Sequence, residues 1–327
     1  MSRALATLSA LVVLLAFVCV LGVAWGSSGW MNVLDAREAW QRTVLFDVRL
    51  PRVLVGLLVG ASLAASGAAL QSLFKSPLAD PGILGVSSGA SLAAVVCIAS
   101  GIAAASPRAI PLAAFVGALA AALLLLRFTR SAREKNVSLL VVGAALSSFL
   151  GALTSLVLAA SMASYLVAQQ IVYWLMGGLE ARTWAHASGA LLPALIGVGF
   201  LVFRAPELDA LQLGESEAFV LGVDVPRVRR ELVLMTAILV GISVAIAGSI
   251  GFVGLLVPHA MRRVVGAQHR LLIPASALAG AILVVLCDLL ARSLFTSFEL
   301  PVGVLTALLG APFLFVIAWG GSTLGRG

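Results

Sequence analysis

The placement of charge limits this chain more than any other feature. Its Asp, Glu, Lys and Arg residues leave nine charge-free intervals of 17 or more residues: 4–34, 53–74, 81–107, 109–126, 136–179, 183–203, 232–261, 271–287 and 300–325. About 20 apolar residues in a helix cross the hydrocarbon core of a bilayer. Only 11% of the residues are charged and 61% are hydrophobic, with a mean hydropathy of +1.11. Soluble domains carry about 25% charged residues, because water must be met by polar surface. The chain therefore reads as an all-α membrane protein, one polytopic domain over 1–327 with the lipid bilayer as its solvent.

Composition alone allows nine to eleven spans, because intervals 136–179 and 232–261 can each hold more than one segment. Gly248, Gly251 and Gly254 interrupt the second of these, and Pro258 follows. A turn near Ser249–Phe252 divides it into two helices, the second running past Arg263. In the first, Ser161, Ser164, Gln169 and Gln170 suit a membrane helix over about 137–160 followed by an exposed segment. That division gives a bundle of ten transmembrane helices. Alternating the spans from a cytoplasmic N-terminus puts 14 basic residues inside and 7 outside. The bias follows the positive-inside rule and puts both termini in the cytoplasm. The first apolar run has one Arg before it and no clear small-x-small cleavage site before Trp25, so it reads as a retained helix.

Small residues at four-residue spacing let membrane helices approach closely. Span 53–74 carries Gly56, Gly60, Ala64 and Ala68 on one face. Other chemistry is sparse. Cys19, Cys97 and Cys287 lie in apolar stretches and make no metal-ligand spacing. Basic residues bracket apolar spans rather than forming basic-aromatic runs, which argues against nucleic acid. Only two lysines occur, Lys75 and Lys135, and neither belongs to a G-x-x-x-x-G-K-[ST] phosphate loop, so the chain has no ATPase site of that type. His186, His259 and His269 are far apart in sequence, and no Ser/His/Asp arrangement is suggested. The intramembrane carboxylate Asp288 lies four residues before Arg292, on the same helix face. A local ion pair is the expected explanation, with proton coupling as the alternative.

Three stretches carry a resemblance. The first is Arg49-Leu50-Pro51-Arg52, leading to Ser76-Pro77-Leu78-Ala79-Asp80-Pro81-Gly82-Ile83-Leu84-Gly85-Val86-Ser87-Ser88-Gly89-Ala90. The second is Gly251-Phe252-Val253-Gly254-Leu255-Leu256-Val257-Pro258-His259, then Arg262. The third is Glu299-Leu300-Pro301-Val302-Gly303-Val304-Leu305-Thr306-Ala307, then Gly310-Ala311-Pro312. Over about 48–320 the chain closely resembles the FecCD/BtuC-type permeases of bacterial importers for iron chelates, heme and cobalamin.

The resemblance implies ten helices per subunit, a homodimer with the path at its interface, and a place in the bacterial inner membrane. It also implies two partner ATPase subunits inside and a periplasmic binding protein outside. The chain itself binds no cofactor; ATP and Mg belong to the ATPase. Arg49 and Arg52, opening the second helix, and Arg292, closing the ninth, match residues that meet acids on the binding protein. Outward-facing guanidiniums suit such carboxylate recognition. The loop at about 205–229 matches the coupling helices. Gly214 and Gly222 bracket a short helical turn there, Glu215 lies near its N-terminus, and Leu213, Phe219 and Leu221 are placed to enter an ATPase groove. Ser76, Leu78, Asn136 and Val137 occupy the positions of the cytoplasmic gate. Here the chain departs from cobalamin permeases, which have Asn in the first loop and Thr-Ser at the fifth helix. Tyr165, Tyr173, Met176 and His186 are placed near the outer mouth. The run from Pro77 to Ala90 looks most like heme permeases, so heme ranks first as cargo, then a ferric siderophore, then cobalamin. An ion-coupled transporter and a scaffold without transport are the readings from other classes.

Overall fold

The computed structural model describes residues 2–26, 29–30, 38–77, 79–106, 108–129, 135–294 and 299–323. Helix α1 (Ser2–Ala24) leads into a short antiparallel pair, Trp25–Gly26 with Gly29–Trp30. A turn at Ala39–Arg42 then opens into a π-helical stretch, Thr43–Arg49, that continues as α2 (Leu50–Leu73). Pro51 accounts for that widened stretch: its ring lacks an N–H and clashes with the carbonyl four residues earlier. A 3-10 turn, Pro81–Leu84, precedes α3 (Val86–Ala99). Next come α4 (Ala109–Phe128), α5 (Lys135–Ala160), α6 (Tyr165–Met176) and α7 (Trp184–Phe203). Two short helices, α8 (Ala205–Leu213) and α9 (Glu215–Val220), are followed by α10 (Val225–Ala247). The chain closes with α11 (Val253–Val265), α12 (His269–Ala291) and α13 (Val302–Thr323).

Among the described residues, seven helical runs are long and apolar enough to cross a membrane, and Val86–Ala99 and Val302–Phe313 are shorter apolar helices. The expected division near Ser249–Phe252 is present, because α10 stops at Ala247 and α11 starts at Val253. Phe252 makes that turn with φ of 67°, and its ring lies so close to Gly310 that a Cβ there would be 2.3 Å from its Cγ. Only a glycine on α13 admits this ring. The segment after 160 is exposed on much of its surface, as expected. Within it, residues 165–176 form the helix α6.

Helix α2 is the hub. In the most apolar window of the run Ala39–Leu73, 78% of residues are buried, against 11% in the corresponding windows of α1 and α5. The small-residue stripe explains how α2 reaches that depth. A Cβ on Gly60 would stand 2.2 Å from the Gly280 carbonyl oxygen, and one on Gly280 would stand 2.3 Å from that of Gly60. The α2–α12 crossing therefore requires glycine on both sides, and the backbones touch as membrane helices need to. Ala64 continues the seam against Gly280, and Gly67 meets the Gly254 carbonyl of α11 in the same way. Gly89 and Gly117 repeat the device between α3 and α4.

Candidate functional site

The bundle has two chemically distinct ends. At one, the three arginines singled out in the sequence converge, but they do not face outward. Arg49, Arg52 and Arg292 are 4%, 8% and 4% exposed. Helix α1 ends at Ala24, so its last carbonyls have no intrahelical partner. Arg49 donates from Nη1 to the Val23 oxygen at 3.0 Å and the Ala24 oxygen at 2.8 Å, and from Nη2 to the Gly29 oxygen at 3.1 Å. Arg292 Nη2 donates to the Gly22 oxygen. Two guanidiniums thus cap the negative end of α1. The expectation of outward-facing side chains is corrected for all three: burial and internal partners hold them in the bundle.

Arg52 answers the buried carboxylate. Its Nε and Nη2 both stand 2.9 Å from Asp288 Oδ1, and Nη2 also lies 2.9 Å from Glu299 Oε2. The expected Arg292–Asp288 pair is present but longer, at 3.5 Å. Asp288 is 1% exposed, so its charge is tolerable only with these partners. Burial acts to raise the Glu299 carboxyl, yet the Arg52 hydrogen bond and charge overcome it and hold Glu299 below the ordinary range. Burial pushes nearby Glu180 upward, although its hydrogen bond with Tyr173 opposes the shift. Tyr173, Gln169, Gln170, Trp174, Glu180 and Arg182 line a cavity of about 360 Å³ at this end. Tyr173 thus lines the cavity at the arginine end, whereas His186 lies in a separate groove of about 1220 Å³ with Arg108 and hydrogen-bonds Thr183.

At the other end, Ser76 sits half-buried in the turn after α2, its N–H donating to the Gln71 oxygen at 3.0 Å. Asp80 caps the following 3-10 turn through the Gly82 N–H at 2.7 Å. Leu78 lies outside the described residues. Asn136 and Val137 fall in the first turn of α5, with side chains outside the described set.

The segment 205–229 forms the paired short helices expected of it. Gly214, at φ of 154°, separates α8 from α9, and Gly222, at φ of 85°, follows the end of α9. A side chain on Gly214 would collide with Glu217, which folds back over the N-terminus of α9. Leu213, Phe219, Val220 and Leu221 are 68%, 76%, 84% and 64% exposed. Glu215 pairs with Arg229, which ties α9 to the start of α10. Arg204 bridges Glu207 at 2.7 Å and Glu231, and the Glu207 hydrogen bond leads the causes that hold Arg204 above its ordinary value. The apolar tips thus project from a braced frame.

Sequence reasoning missed two assemblies here. Asp288 was assigned its neighbour on the helix, but its shorter contacts come from Arg52, 236 residues away. A Ser72–His269–Asp209 cluster was not suggested at all, and it joins α2, α12 and α8. A signal was available: His269 opens a long apolar helix, where a polar ring needs a partner.

The comparisons with known proteins agree with this architecture. The FecCD transport family matches residues 9–320. The chain is 43% identical to the vitamin B12 import system permease protein BtuC of Vibrio cholerae, over 90% of this chain and 88% of that protein. It is 39% identical to the hemin transport system permease protein HmuU of Yersinia pestis, over 93% of both chains. A solved structure described as an inward-facing conformation of a metal-chelate type ABC transporter superposes with a TM-score of 0.88 at 34% identity, covering 96% of this chain and 98% of that one. Permeases of this kind are multi-pass inner-membrane subunits of importers whose ATPase and substrate-binding protein are separate chains. Similarity over nearly the whole length, in sequence and in fold, makes this chain a member of the FecCD transport family.

Proposed function

We propose that this chain is the membrane permease of an ATP-binding-cassette importer that moves a metal tetrapyrrole inward by alternating access. The observation that carries the reading is the α8–α9 projection. Four large apolar side chains are exposed there on a braced loop, which suits insertion into a groove of a partner ATPase. Leu213, Gly214, Glu215, Phe219, Leu221 and Gly222 supply that contact. ATP and Mg act on the partner, and this chain performs no covalent chemistry.

Ten traversals account for the helix order if α6 is a half-helix that returns on the arginine side. Both termini then lie with α8–α9 in the cytoplasm. The arginine burial supports that orientation. Arg49, Arg52 and Arg292 are three of the seven outer basic residues, and they answer internal acceptors. The loop bias inward is stronger without them. We place a homodimer around the path, with Ser76, Leu78, Asn136 and Val137 at its inner constriction. Docking of the binding protein falls at the arginine end, where Arg49, Arg52 and Arg292 set the positions of the surface groups around them.

Cobalamin leads as cargo and heme follows, which reverses the order expected from the Pro77–Ala90 run. The support is the vitamin B12 permease at 43% identity beside the hemin permease at 39%. Uptake into proteoliposomes holding the permease, its ATPase and its binding protein tests the proposal, with cobalamin, hemin and a ferric siderophore offered in parallel. ATP-dependent accumulation of cobalamin is expected. Accumulation without ATP would overturn the importer reading, and accumulation of hemin alone would overturn the cargo order.

A further inference from the structure

We propose that Asp209, His269 and Ser72 form a positioning relay, buried at His269 and Ser72, that carries movement of α8–α9 to the gate end of α2. The inference rests on the permease reading above. The geometry is a continuous chain of hydrogen bonds across four helices. Asp209, on α8, accepts at Oδ1 from the His269 backbone N–H at 3.0 Å and contacts His269 Nδ1 at 2.5 Å. His269 Nε2 meets the Ser72 hydroxyl in the last turn of α2. Ser72 Oγ in turn accepts from Arg262 Nη2 of α11 and from Gln212 Nε2 of α8, each at 3.3 Å.

The donors and acceptors run in one direction. An ionised Asp209 only accepts, so the imidazole hydrogen sits on Nδ1. Nε2 then accepts from the Ser72 hydroxyl, leaving the serine oxygen free to accept from Arg262 and Gln212. Every member is satisfied when all four helices hold this register. The imidazole is 0% exposed, which rules out a hydrolytic triad, because no substrate reaches it. Burial is also what gives the relay force. Displacing α8 or α2 leaves the buried His269 imidazole or Ser72 hydroxyl without its partner, which favours movement of the helices together.

The two ends of the relay point at the two working parts. Gln212 immediately precedes Leu213, the first exposed apolar tip, and Asp209 lies one turn earlier on the same helix. The Ser72 backbone carbonyl accepts from the Lys75 N–H at 3.2 Å, and Ser76 follows. The adjacent Gln71 donates to the Leu255 oxygen at 2.9 Å, so the base of the gate turn is held on α11 as well. A displacement of α8 by the ATPase therefore reaches the gate turn through Asp209 and His269. That arrangement supplies the contiguous network of packed and hydrogen-bonded groups through which such coupling travels.

The test uses the full complex in nanodiscs, with a polarity-sensitive fluorophore on Lys75→Cys beside the gate. ATP with Mg is expected to change its emission in the otherwise unaltered protein. Asp209→Asn and His269→Ala should each cut that change at least fivefold. His269→Gln, whose amide keeps one donor and one acceptor, should restore at least half of it. The double variant Asp209→Asn/His269→Ala should be no worse than His269→Ala, because one chain is broken once. A full signal in both single variants would overturn the relay, as would losses that multiply in the double variant or an unaltered protein that gives no signal. Failure of His269→Gln to assemble with the ATPase would assign these residues to folding alone, which also overturns it. Cargo uptake is scored separately: a nucleotide-driven signal without uptake of any of the three cargoes strikes the cargo reading and leaves the relay standing.

Discussion

The two ends of this bundle handle their costly side chains in opposite ways. At the arginine end, charges are buried and answered within the chain: Arg52 by Asp288 and Glu299, Arg49 and Arg292 by the last carbonyls of α1. At the α8–α9 end, large apolar side chains stand in the open with nothing among the described residues to cover them. The difference separates two jobs. Buried, paired charge fixes the register of α1, α2 and α12 and is self-sufficient. Exposed apolar surface raises the free energy of the isolated subunit until a partner covers it. An exposed cluster is thus a better guide to a partner than a conspicuous arginine.

The comparison is broken most directly at Asp288. Asp288→Ala leaves Arg52 and Arg292 without their buried carboxylate, and removing one partner of a buried pair costs about 3–5 kcal/mol. We expect loss of monodisperse protein and a large fall in the thermal midpoint in detergent. A variant that folds normally and loses only binding-protein docking would make the arginine end a docking surface instead. The replacement of Arg49, Arg52 and Arg292 together by Glu tests docking less cleanly, since it places three acids against Asp288 and the α1 carbonyls.

Phe219→Asp probes the opposite end. Stability of the isolated permease should be unchanged, while affinity for the ATPase falls by about 2 kcal/mol, roughly 30-fold, as for an interface anchor. Titration of labelled ATPase onto the detergent-solubilised permease measures it, and an unchanged affinity would remove α9 from the contact. Glu299→Gln should cost about 1 kcal/mol, less than a fully buried charge-assisted bond because Glu299 is 26% exposed. Its carboxyl lies below the ordinary range in the folded chain. Its stabilisation is therefore present above the unfolded value and is lost as pH falls through the folded one. The stability gap between wild type and Glu299→Gln should therefore be full at neutral pH and close as pH falls through the folded value, because only the wild type carries that contribution. The smallest effect belongs to Arg227→Ala. The Arg227–Glu231 pair is 2.9 Å long, but Arg227 is 63% exposed, so less than about 0.5 kcal/mol is expected in a thermal shift.

What could be read before folding was local. Charge-free intervals announced the spans, because hydrocarbon excludes charge wherever the helix packs. Three glycines and Pro258 announced the α10–α11 turn, and Gly214 with Gly222 announced the short helix between them, because backbone conformation is set within a few residues. The stripe through Gly56, Gly60 and Ala64 announced a close seam, and four-residue spacing announced Asp288 with Arg292. The exposed segment expected after residue 160 was legible from its serines and glutamines, whereas the folding of residues 165–176 within it as α6 was not.

What only the tertiary structure decided was which faces meet. No spacing in the sequence says that Gly60 lies against Gly280. Once it does, Arg52 is carried to Asp288 and Ser72 to His269, pairs separated by 236 and 197 residues. The inward placement of the three arginines, two on the α1 carbonyls and Arg52 on Asp288 and Glu299, has the same origin. A guanidinium at a helix end can face water or a neighbouring helix's open carbonyls, and the choice depends on α1 ending beside α2 and α12. Helical periodicity determines the face on which a residue lies; the register between helices determines what that face touches.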